Sequence, residues 1–424
     1  MAIIDGGFNV DLPKMIKVKQ HFQDDRIEKI EEAVWGQLEK EEIRNQFKKG
    51  HKIAVTVGSR GVADIDLITK AVIDKLKEYG TVPFIIPAMG SHGGGTPQGQ
   101  LDILASYHIT EETMGVPIEA SMEVIQIGTT ENSIPVYVSK PALEADGIIV
   151  MGRIKPHTNF RGPIESGLMK MMTIGLGKHR GATYVHKKGF HRFAEYIPEV
   201  GRMIIEKAPI LCGIGLVENG YHEQMIVKAV LPKEIEQTDV ELLKMARESM
   251  PRILFDGIDL LIVEEIGKNI SGNGMDPNVT GRYSETFMMK HETKQPVQKI
   301  AVLGLTKETQ GNACGIGDAD VTTKSVFEEI DLHKTYANVI TSTLLPGGAI
   351  PMMLDNDQQA IAVALKTCYD IEPHEAKIVR IKNTAQLDEI EISEALLAEA
   401  EKNDAIQIIG EPSSISFTEN GKLI

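Results

Sequence analysis

The order of hydrophobic and polar positions predicts β-strands that alternate with α-helices. Apolar runs of strand length begin near His51, Thr81 and Ala145, and glycine or polar residues bound each run. Residues 64–79 and 99–107 instead repeat their apolar side chains at helical spacing. Near-continuous apolar strands that alternate with amphipathic helices are typical of a parallel, doubly wound sheet.

The same pattern continues beyond residue 190 and predicts a second domain. Asp259–Ile266 is a further apolar strand, and the segment after it is rich in Gly, Asn and Pro, as linkers often are. We therefore place the domain boundary near residue 268. Beyond it we expect one strand and two helices, at Lys299–Leu305, Val321–Phe327 and Ile392–Lys402.

These elements predict an α/β protein of two domains. Residues 1–268 are expected to form the catalytic and cofactor-binding domain, with a Rossmann- or flavodoxin-like parallel sheet. Residues 269–404 are expected to form a smaller α/β domain. The apolar run within residues 405–424 predicts a strand that joins the first domain. We expect the active site in the cleft between the two domains.

Composition and charge narrow the class of protein. The net charge of −15 and the aromatic content of 5% argue against a nucleic-acid-binding protein, which needs a basic surface and stacking rings. No apolar run is long enough to span a membrane, and the N-terminus lacks the pattern of a signal peptide. Three widely spaced cysteines fit neither a disulfide framework nor a Cys-rich metal site. We expect a reduced, cytoplasmic protein.

Polar side chains follow three successive strands of the predicted sheet. Arg60, His92 and His157 each come shortly after an apolar run. In parallel sheets of this type the ligand binds beyond the carboxyl ends of the strands. The sequence therefore predicts that these three side chains share one site.

The loop GSHGGGT surrounds His92 with glycines. Gly93, Gly94 and Gly95 allow positive φ angles and let backbone N–H groups approach an anion, while the imidazole can transfer protons. A tight turn with a solvated histidine is the alternative. We favour a binding loop, because a turn needs only one or two glycines.

The stretch from Met151 to Ala182 is rich in groups that are costly to bury. His157 is a second acid/base or ligand candidate, with Lys155 and Arg161 beside it as anion contacts. Lys170 lies among apolar residues, where desolvation would make it a nucleophile. A polar loop and a lysine whose stem packs on a helix are the alternatives.

Two later segments offer further candidates. SGNGMDPNVTGR has the composition of a flexible loop between domains, or Asp276, Asn278 and Arg282 could close over a site. TQGNACGIGDAD brings Asp318 and Asp320 close in sequence, but their spacing fits no calcium-binding loop.

Together these residues resemble the lactate racemase family of nickel-pincer-nucleotide enzymes. Members have a strand-end arginine, a histidine in a GTH or GSH loop, a histidine in a PH motif, a lysine after small residues, and a later histidine. The corresponding residues here are Arg60, His92, His157, Lys170 and His186. The resemblance extends over most of the chain, and the first domain matches best.

The resemblance implies an isomerase that inverts the hydroxyl-bearing carbon of a 2-hydroxy acid. Lys170 would carry the nickel-pincer nucleotide covalently, with Gly93, Gly94 and Gly95 beside it, and His186 would ligate nickel. His92 and His157 would be the acid/base groups. Hydride would pass between the substrate and the cofactor, and Arg60, Asp276 and Asn278 would bind the substrate.

Two other classes of function remain open. The first is a metal-dependent hydrolase or lyase with ligands from among His157, His179, His186 and His191. The second is a homologue that binds a cofactor or ligand without turnover. The partners we expect are a small anionic 2-hydroxy acid and the enzymes that synthesise the cofactor, with no nucleic acid and no membrane. We expect a monomer or a small homo-oligomer.

Overall fold

The computed structural model of the 424-residue chain describes residues 7–59, 61–284 and 297–424. The chain divides into two compact units. One unit, Gln23–Met250, is here called the site unit. The other combines Met1–Phe22 with Pro251–Ile424 and is called the terminal unit. Each is described by itself.

The strands of the described residues are numbered in chain order. They are β1 (Met15–Gln20), β2 (Lys52–Val57), β3 (Val82–Pro87), β4 (Val124–Thr129), β5 (Pro135–Ser139), β6 (Gly147–Arg153), β7 (Ile210–Glu218), β8 (Gln224–Val230), β9 (Leu260–Val263), β10 (Lys299–Val302), β11 (Val321–Thr323), β12 (Met352–Leu354), β13 (Ile378–Ile381), β14 (Glu389–Ser393) and β15 (Ile406–Ile408).

The α-helices of the described residues are numbered in the same way. They are α1 (Ile30–Leu38), α2 (Glu41–Arg44), α3 (Ile65–Glu78), α4 (Pro97–Ser106), α5 (Glu111–Met114), α6 (Lys140–Leu143), α7 (Leu168–Lys170), α8 (Lys178–His186), α9 (Phe193–Lys207), α10 (Ile235–Ser249), α11 (Pro277–Thr280), α12 (Lys324–Glu329), α13 (Leu332–Ser342), α14 (Asp357–Lys366) and α15 (Leu397–Ala400).

The site unit is built around a sheet in the order β3-β2-β6-β7-β8, as far as the described residues show. Its first four strands are parallel, and β8 pairs antiparallel with β7. Five of the six residues of β2 are buried, which explains its continuous apolar run, because helices cover a parallel sheet on both faces. The strand register places Val57 beside Pro87, so β2 and β3 end at the same edge.

The terminal unit contains a longer mixed sheet, in the order β12-β11-β10-β9-β13-β14-β1-β15 within the described residues. β1 lies between β14 and β15 and pairs antiparallel with both. The α/β architecture with parallel sheets is therefore confirmed for both parts of the chain.

The bounds of the two units differ from the ranges predicted above. The pairing of β1 with β14 and β15 draws residues 1–22 into the terminal unit, and residues 251–268 belong there as well. The apolar run after residue 404 does form a strand, but its partner β1 lies in the terminal unit. Strand pairing between the two ends of a chain leaves no local signal in sequence, because each strand shows only its own alternation.

Two predicted helices of the second domain also differ. Val321–Thr323 is the strand β11, and helix α12 begins only at Lys324. The predicted helix at Ile392–Lys402 starts as the end of β14 and becomes helical at Leu397–Ala400. A short apolar run fits both the helical period and the strand period, and pairing with a neighbouring strand decides between helix and strand. No helix in the described part of the chain is long and apolar enough to cross a membrane.

Gln20 links β1 to two other segments of the terminal unit, which predicts a loss of stability on its removal. It is fully buried, donates to the carbonyls of Arg252 (3.2 Å) and Leu387 (2.6 Å), and accepts from the amide of Leu254 (2.8 Å). Gln20→Leu keeps the shape but leaves these backbone groups unpaired, so we expect about 3 kcal/mol less unfolding free energy.

Urea denaturation measures this loss, and Gln407→Leu on the exposed side of β15 is the matched control. The control should change stability by about 0.5 kcal/mol or less. Equal losses in the two variants would contradict the role of Gln20.

Candidate active site

The two histidines predicted as acid/base groups follow strands on either side of β2. β3 and β6 both pair with β2, and His92 follows β3 while His157 follows β6. Neighbouring strands lie about 4.8 Å apart, so the ends of β3 and β6 are separated by about 10 Å. The two loops therefore start on opposite sides of the end of β2. Arg60, predicted to follow β2 as a substrate contact, lies outside the described residues.

The glycine-rich loop presents His92 in contact with a second strand end. The Ser59 hydroxyl hydrogen-bonds His92 Nδ1, and Ser59 lies just beyond β2. A hydroxyl can donate or accept, so this contact survives a change in the protonation of His92. Gly93 has φ +65°, and a Cβ there would lie 2.4 Å from the carbonyl carbon of Gly99. Only glycine can lie this close to the backbone of Gly99, which belongs to α4, so Gly93 brings the loop directly onto the first turn of that helix.

His157 is held by its backbone and by its ring. Its amide donates to a carboxylate oxygen of Glu165 (2.6 Å), and its carbonyl accepts from the Arg161 guanidinium (2.6 Å). Glu165 is fully buried and also accepts from the Gly162 amide (3.1 Å) and Arg247 (2.5 Å). The buried carboxylate thus closes the loop around His157.

The ring of His157 has a defined tautomer. Its Nδ1 accepts the amide N–H of Asn159 (3.0 Å), so the neutral ring carries its proton on Nε2. Burial and the positive charge of Lys170 lower the pKa of His157 well below its usual range. His157 is therefore a neutral ring that offers an N–H from Nε2.

Lys170 is the last residue of the short helix α7, and a carboxylate that is distant in sequence, that of Asp239, caps the start of this helix. Asp239 accepts the amides of Leu168 (2.9 Å) and Met169 (2.8 Å), and its burial raises its pKa to about 7. A π-helical segment, Met171–Leu176, follows directly. Such segments are often found at functional sites. A Cβ on Gly58 would lie 3.0 Å from Met171 Cε, so this segment begins against the end of β2.

His186 has the opposite tautomer to His157. Its Nδ1 donates to the carbonyl of Ala182 (2.6 Å), one helical turn earlier, so the lone pair of the neutral ring is on Nε2. This is the arrangement of histidines that ligate metals, in which the second nitrogen bonds a backbone carbonyl or carboxylate. Burial lowers the pKa of His186, which keeps that lone pair available near neutral pH.

An aromatic cluster brings His157 and His186 together. The ring of Phe190 lies 5.8 Å from His157 and 5.6 Å from His186, measured between ring centroids. Phe193 packs against Phe190 at 4.5 Å and against His186 at 5.3 Å. The charge of Lys170 lowers the pKa of both histidines, so the three side chains share one environment.

The remaining predicted site residues lie elsewhere or have local partners. Asp276 and Asn278 belong to the terminal unit, where Asp276 caps α11 and accepts from the side chain of Asn278 (2.7 Å). A Cβ on Gly95 would lie 3.2 Å from Cδ2 of His179, so Gly95 packs against the His179 ring. In the described ranges, no three His, Cys, Asp or Glu side chains come together as metal ligands.

The donor set fits a cofactor that brings most of its own metal ligands. His186 has the tautomer found in metal-ligating histidines, with its lone pair on Nε2, and it is the one such ring described at this site. The amine of Lys170 lies in the same environment, because its charge lowers the pKa of His186. A metal held by His157, His179, His186 and His191 together would need a cluster that the described residues do not form.

Three supporting groups escaped the sequence analysis. Glu165 lies between Met151 and Ala182, and an acid among basic residues is the available signal for it. Asp239 is 70 residues from Met169 and leaves no local signal. Lys178 is the third, and it lies in the same apolar stretch as Lys170.

Comparisons with known proteins agree with this architecture. Residues 10–195 match the lactate racemase N-terminal domain. No curated protein matches the chain. A solved protein of Thermotoga maritima is similar at 13% identity and a TM-score of 0.52, covering 87% of this chain and 99% of its own. A lactate racemase apoprotein from Thermoanaerobacterium thermosaccharolyticum has 14% identity and a TM-score of 0.49, with 93% and 97% covered.

The fold and site are those of an α/β protein with polar side chains at the carboxyl edge of a parallel sheet. The similarity to the lactate racemase N-terminal domain covers residues 10–195, and with them β2, β3 and β6, which precede the candidate site residues.

The contacts of Glu165 predict that it stabilises the loop of His157. Glu165→Gln replaces one acceptor oxygen with an N–H group that faces other donors, so we expect about 3 kcal/mol less unfolding free energy. Urea denaturation measures the loss. Glu195→Gln, which breaks an exposed ion pair with Arg192, is the control and should cost about 0.5 kcal/mol or less. If the control loses as much as Glu165→Gln, the buried contacts do not stabilise the loop.

Glu218 predicts a pH dependence of stability at the ends of β6 and β7. Burial alone would raise the pKa of Glu218. Its carboxylate pairs with the Arg153 guanidinium (2.6 Å) and accepts the Ala63 amide (2.9 Å). Together with a hydrogen bond from His222, these contacts lower the pKa to about 2. Because this pKa lies below the ordinary 4.5, the carboxylate stabilises the fold above pH 4.5 and loses its effect toward pH 2.

The measurement is the unfolding free energy of the protein and of Glu218→Gln between pH 6 and pH 2. At pH 6 the protein should be about 3 kcal/mol more stable than the variant, and the two curves should converge toward pH 2. Glu144→Gln, an exposed control, should keep the profile of the unmodified protein. A difference between the protein and Glu218→Gln that stays constant with pH would contradict the assignment.

Proposed function

We propose that the protein is a racemase or epimerase that inverts the hydroxyl-bearing carbon of a 2-hydroxy acid, with a nickel-pincer nucleotide as cofactor. The match of residues 10–195 to the lactate racemase N-terminal domain supports a racemase-type role. The observation that carries the proposal is the pair of opposite tautomers. His157 offers Nε2–H and His186 offers an Nε2 lone pair, and Phe190 packs against both rings.

The cofactor would be held by two residues of the site unit. Lys170 would carry it covalently, and the Nε2 lone pair of His186 would ligate the nickel. Gly93, Gly94 and Gly95 lie in the neighbouring loop at positive φ, and a Cβ on Gly94 would meet no atom within 4 Å, so the space for a ligand is at Gly94. When bound, this group supplies a hydride acceptor and donor.

The chain itself supplies proton transfer and orientation. His92 takes a proton from the substrate hydroxyl and returns it, because the Ser59 hydroxyl can follow either protonation state of Nδ1. His157 donates a hydrogen bond from Nε2 to a substrate oxygen. For His157 to act as a base at Nε2, its Nδ1 must carry a proton and release the amide of Asn159.

Substrate binding needs a cation for the carboxylate. Arg60 comes three residues after the end of β2 in sequence, and we assign the carboxylate to it because a guanidinium binds carboxylates with two bonds. Asp276 and Asn278 are proposed as contacts to the rest of the substrate. The net negative charge of the chain does not oppose an anionic substrate, because a local cluster of cations dominates its own pocket.

Turnover with a deuterium label tests this function. The protein is co-expressed with the enzymes that synthesise the cofactor, in medium with nickel, and given each enantiomer of a panel of 2-hydroxy acids labelled with deuterium at C2. Inversion by hydride transfer keeps the deuterium in the product. Solvent hydrogen at C2 would contradict the mechanism, and a protein that binds the acids without inverting them would be a binding homologue.

Variants of the site residues test the assigned roles. His92→Gln and His157→Gln should each lower kcat/KM by about 10²–10⁴-fold, which is the usual contribution of acid/base groups. Intact mass should show an adduct on Lys170, and His186→Ala should lose nickel. His51→Gln, at the amino end of β2 on the opposite edge of the sheet, is the control and should keep full activity. Full activity in His92→Gln would remove the assigned base.

A further inference from the structure

Lys178 is a fully buried lysine beside the loop of His92. Its side chain is 0% exposed. Its ammonium donates to the carbonyl of Pro87, the last residue of β3, and to Oε1 of Gln100 (3.3 Å) on α4. Both of these partners flank the glycine-rich loop, so Lys178 joins the strand before the loop to the helix after it.

The backbone of Lys178 lies in a conformation that L-amino acids rarely adopt. Its φ is +54°, in the left-handed region that costs an ordinary residue about 1 kcal/mol or more. Lys178 lies at the junction between the π-helical segment and α8. Strained residues of this kind persist where the surrounding structure holds them, often next to functional sites.

The environment of Lys178 is unlike that of a structural lysine. Both of its described hydrogen-bond partners are neutral oxygens, and burial lowers its pKa to about 8. Lys75 on α3 is almost as buried, but its ammonium pairs with Glu39 (2.6 Å) and Glu78 (3.0 Å). A buried lysine with neutral partners is costly, and such groups concentrate at functional sites.

Gln100 passes the effect of Lys178 on to the loop. An ammonium group can only donate, so the amide oxygen of Gln100 must face Lys178 and the NH₂ group must face the other way. There it donates to the carbonyls of Gly90 (3.2 Å) and His92 (3.5 Å). Gln100 is itself fully buried. One charge thus determines the orientation of an amide that bonds both ends of the segment from Gly90 to His92.

We propose that Lys178 is a positioning residue that fixes the loop of His92 through the side chain of Gln100. Its fully buried ammonium is held by Pro87 and Gln100, so it acts through the loop rather than on the substrate. The value of this contact for catalysis rests on the proposed function of His92, but the contact itself can be measured without a substrate.

Two variants separate the charge of Lys178 from the amide donors of Gln100. Lys178→Met removes the ammonium with little change of volume, and removing an unneutralised buried charge should leave the fold intact. Gln100→Glu keeps an acceptor for Lys178 but removes the N–H groups that reach Gly90 and His92. Lys75→Met is the matched control, a buried lysine of the same unit that lies on α3.

Hydrogen exchange and NMR of the histidine rings provide the readouts. Amide exchange is followed by mass spectrometry over residues 88–104, with peptides from β7 and β8 as references. The ¹⁵N signals of His92 are recorded in protein with labelled histidine and assigned with His92→Gln. We expect exchange about tenfold faster over residues 88–104 in both variants, with unchanged reference peptides and shifted His92 ring signals.

The possible results separate the two proposals. Unchanged exchange and unchanged His92 signals in both variants would overturn the positioning role. Equally faster exchange in every peptide, or the same loop effect in Lys75→Met, would overturn it as well, because it would show a general loss of stability. Failure of the proposed function appears elsewhere, as 2-hydroxy acids that are not inverted, and failure of the role of His92 appears as full turnover by His92→Gln; neither result affects these measurements.

Discussion

The candidate site depends on how two buried carboxylates satisfy backbone N–H groups. Glu165 accepts from the segment that carries His157, and Asp239 accepts from the first turn of the helix that carries Lys170. Unpaired N–H groups in the interior cost free energy comparable to a lost hydrogen bond. Each carboxylate therefore sets the conformation of a segment whose own residues could not pair these groups, and the functional side chains follow from that conformation.

The ring contacts then divide the chemistry among three histidines. The amide of Asn159 makes Nδ1 of His157 an acceptor, while the carbonyl of Ala182 makes Nδ1 of His186 a donor. His92 contacts a hydroxyl, which allows either state. In sequence the three imidazoles are equivalent groups. Their neighbours leave His157 with a proton on Nε2, leave His186 with a lone pair on Nε2, and give His92 a partner that fits either protonation state.

Much of the fold was predictable from local pattern, and much of the site was not. The strands that end near His92 and His157 were visible as apolar runs, and the parallel sheet followed from their alternation with helices. The motif residues were visible by chemistry and resemblance, but Asp239 and Lys178 were not assigned roles. Their importance comes from burial against segments distant in sequence, as with Lys178 and Pro87, which are 91 residues apart.

The sequence by itself determined the α/β class, the family resemblance and the candidate site residues, because periodicity and residue type are local properties. Only the tertiary structure decided that β1 pairs with β14 and β15, which tautomer each histidine adopts, and that Lys178 lies buried against neutral partners. These outcomes depend on which backbone groups meet in space. Hydrogen bonding and desolvation act at contact distance, whatever the separation along the chain.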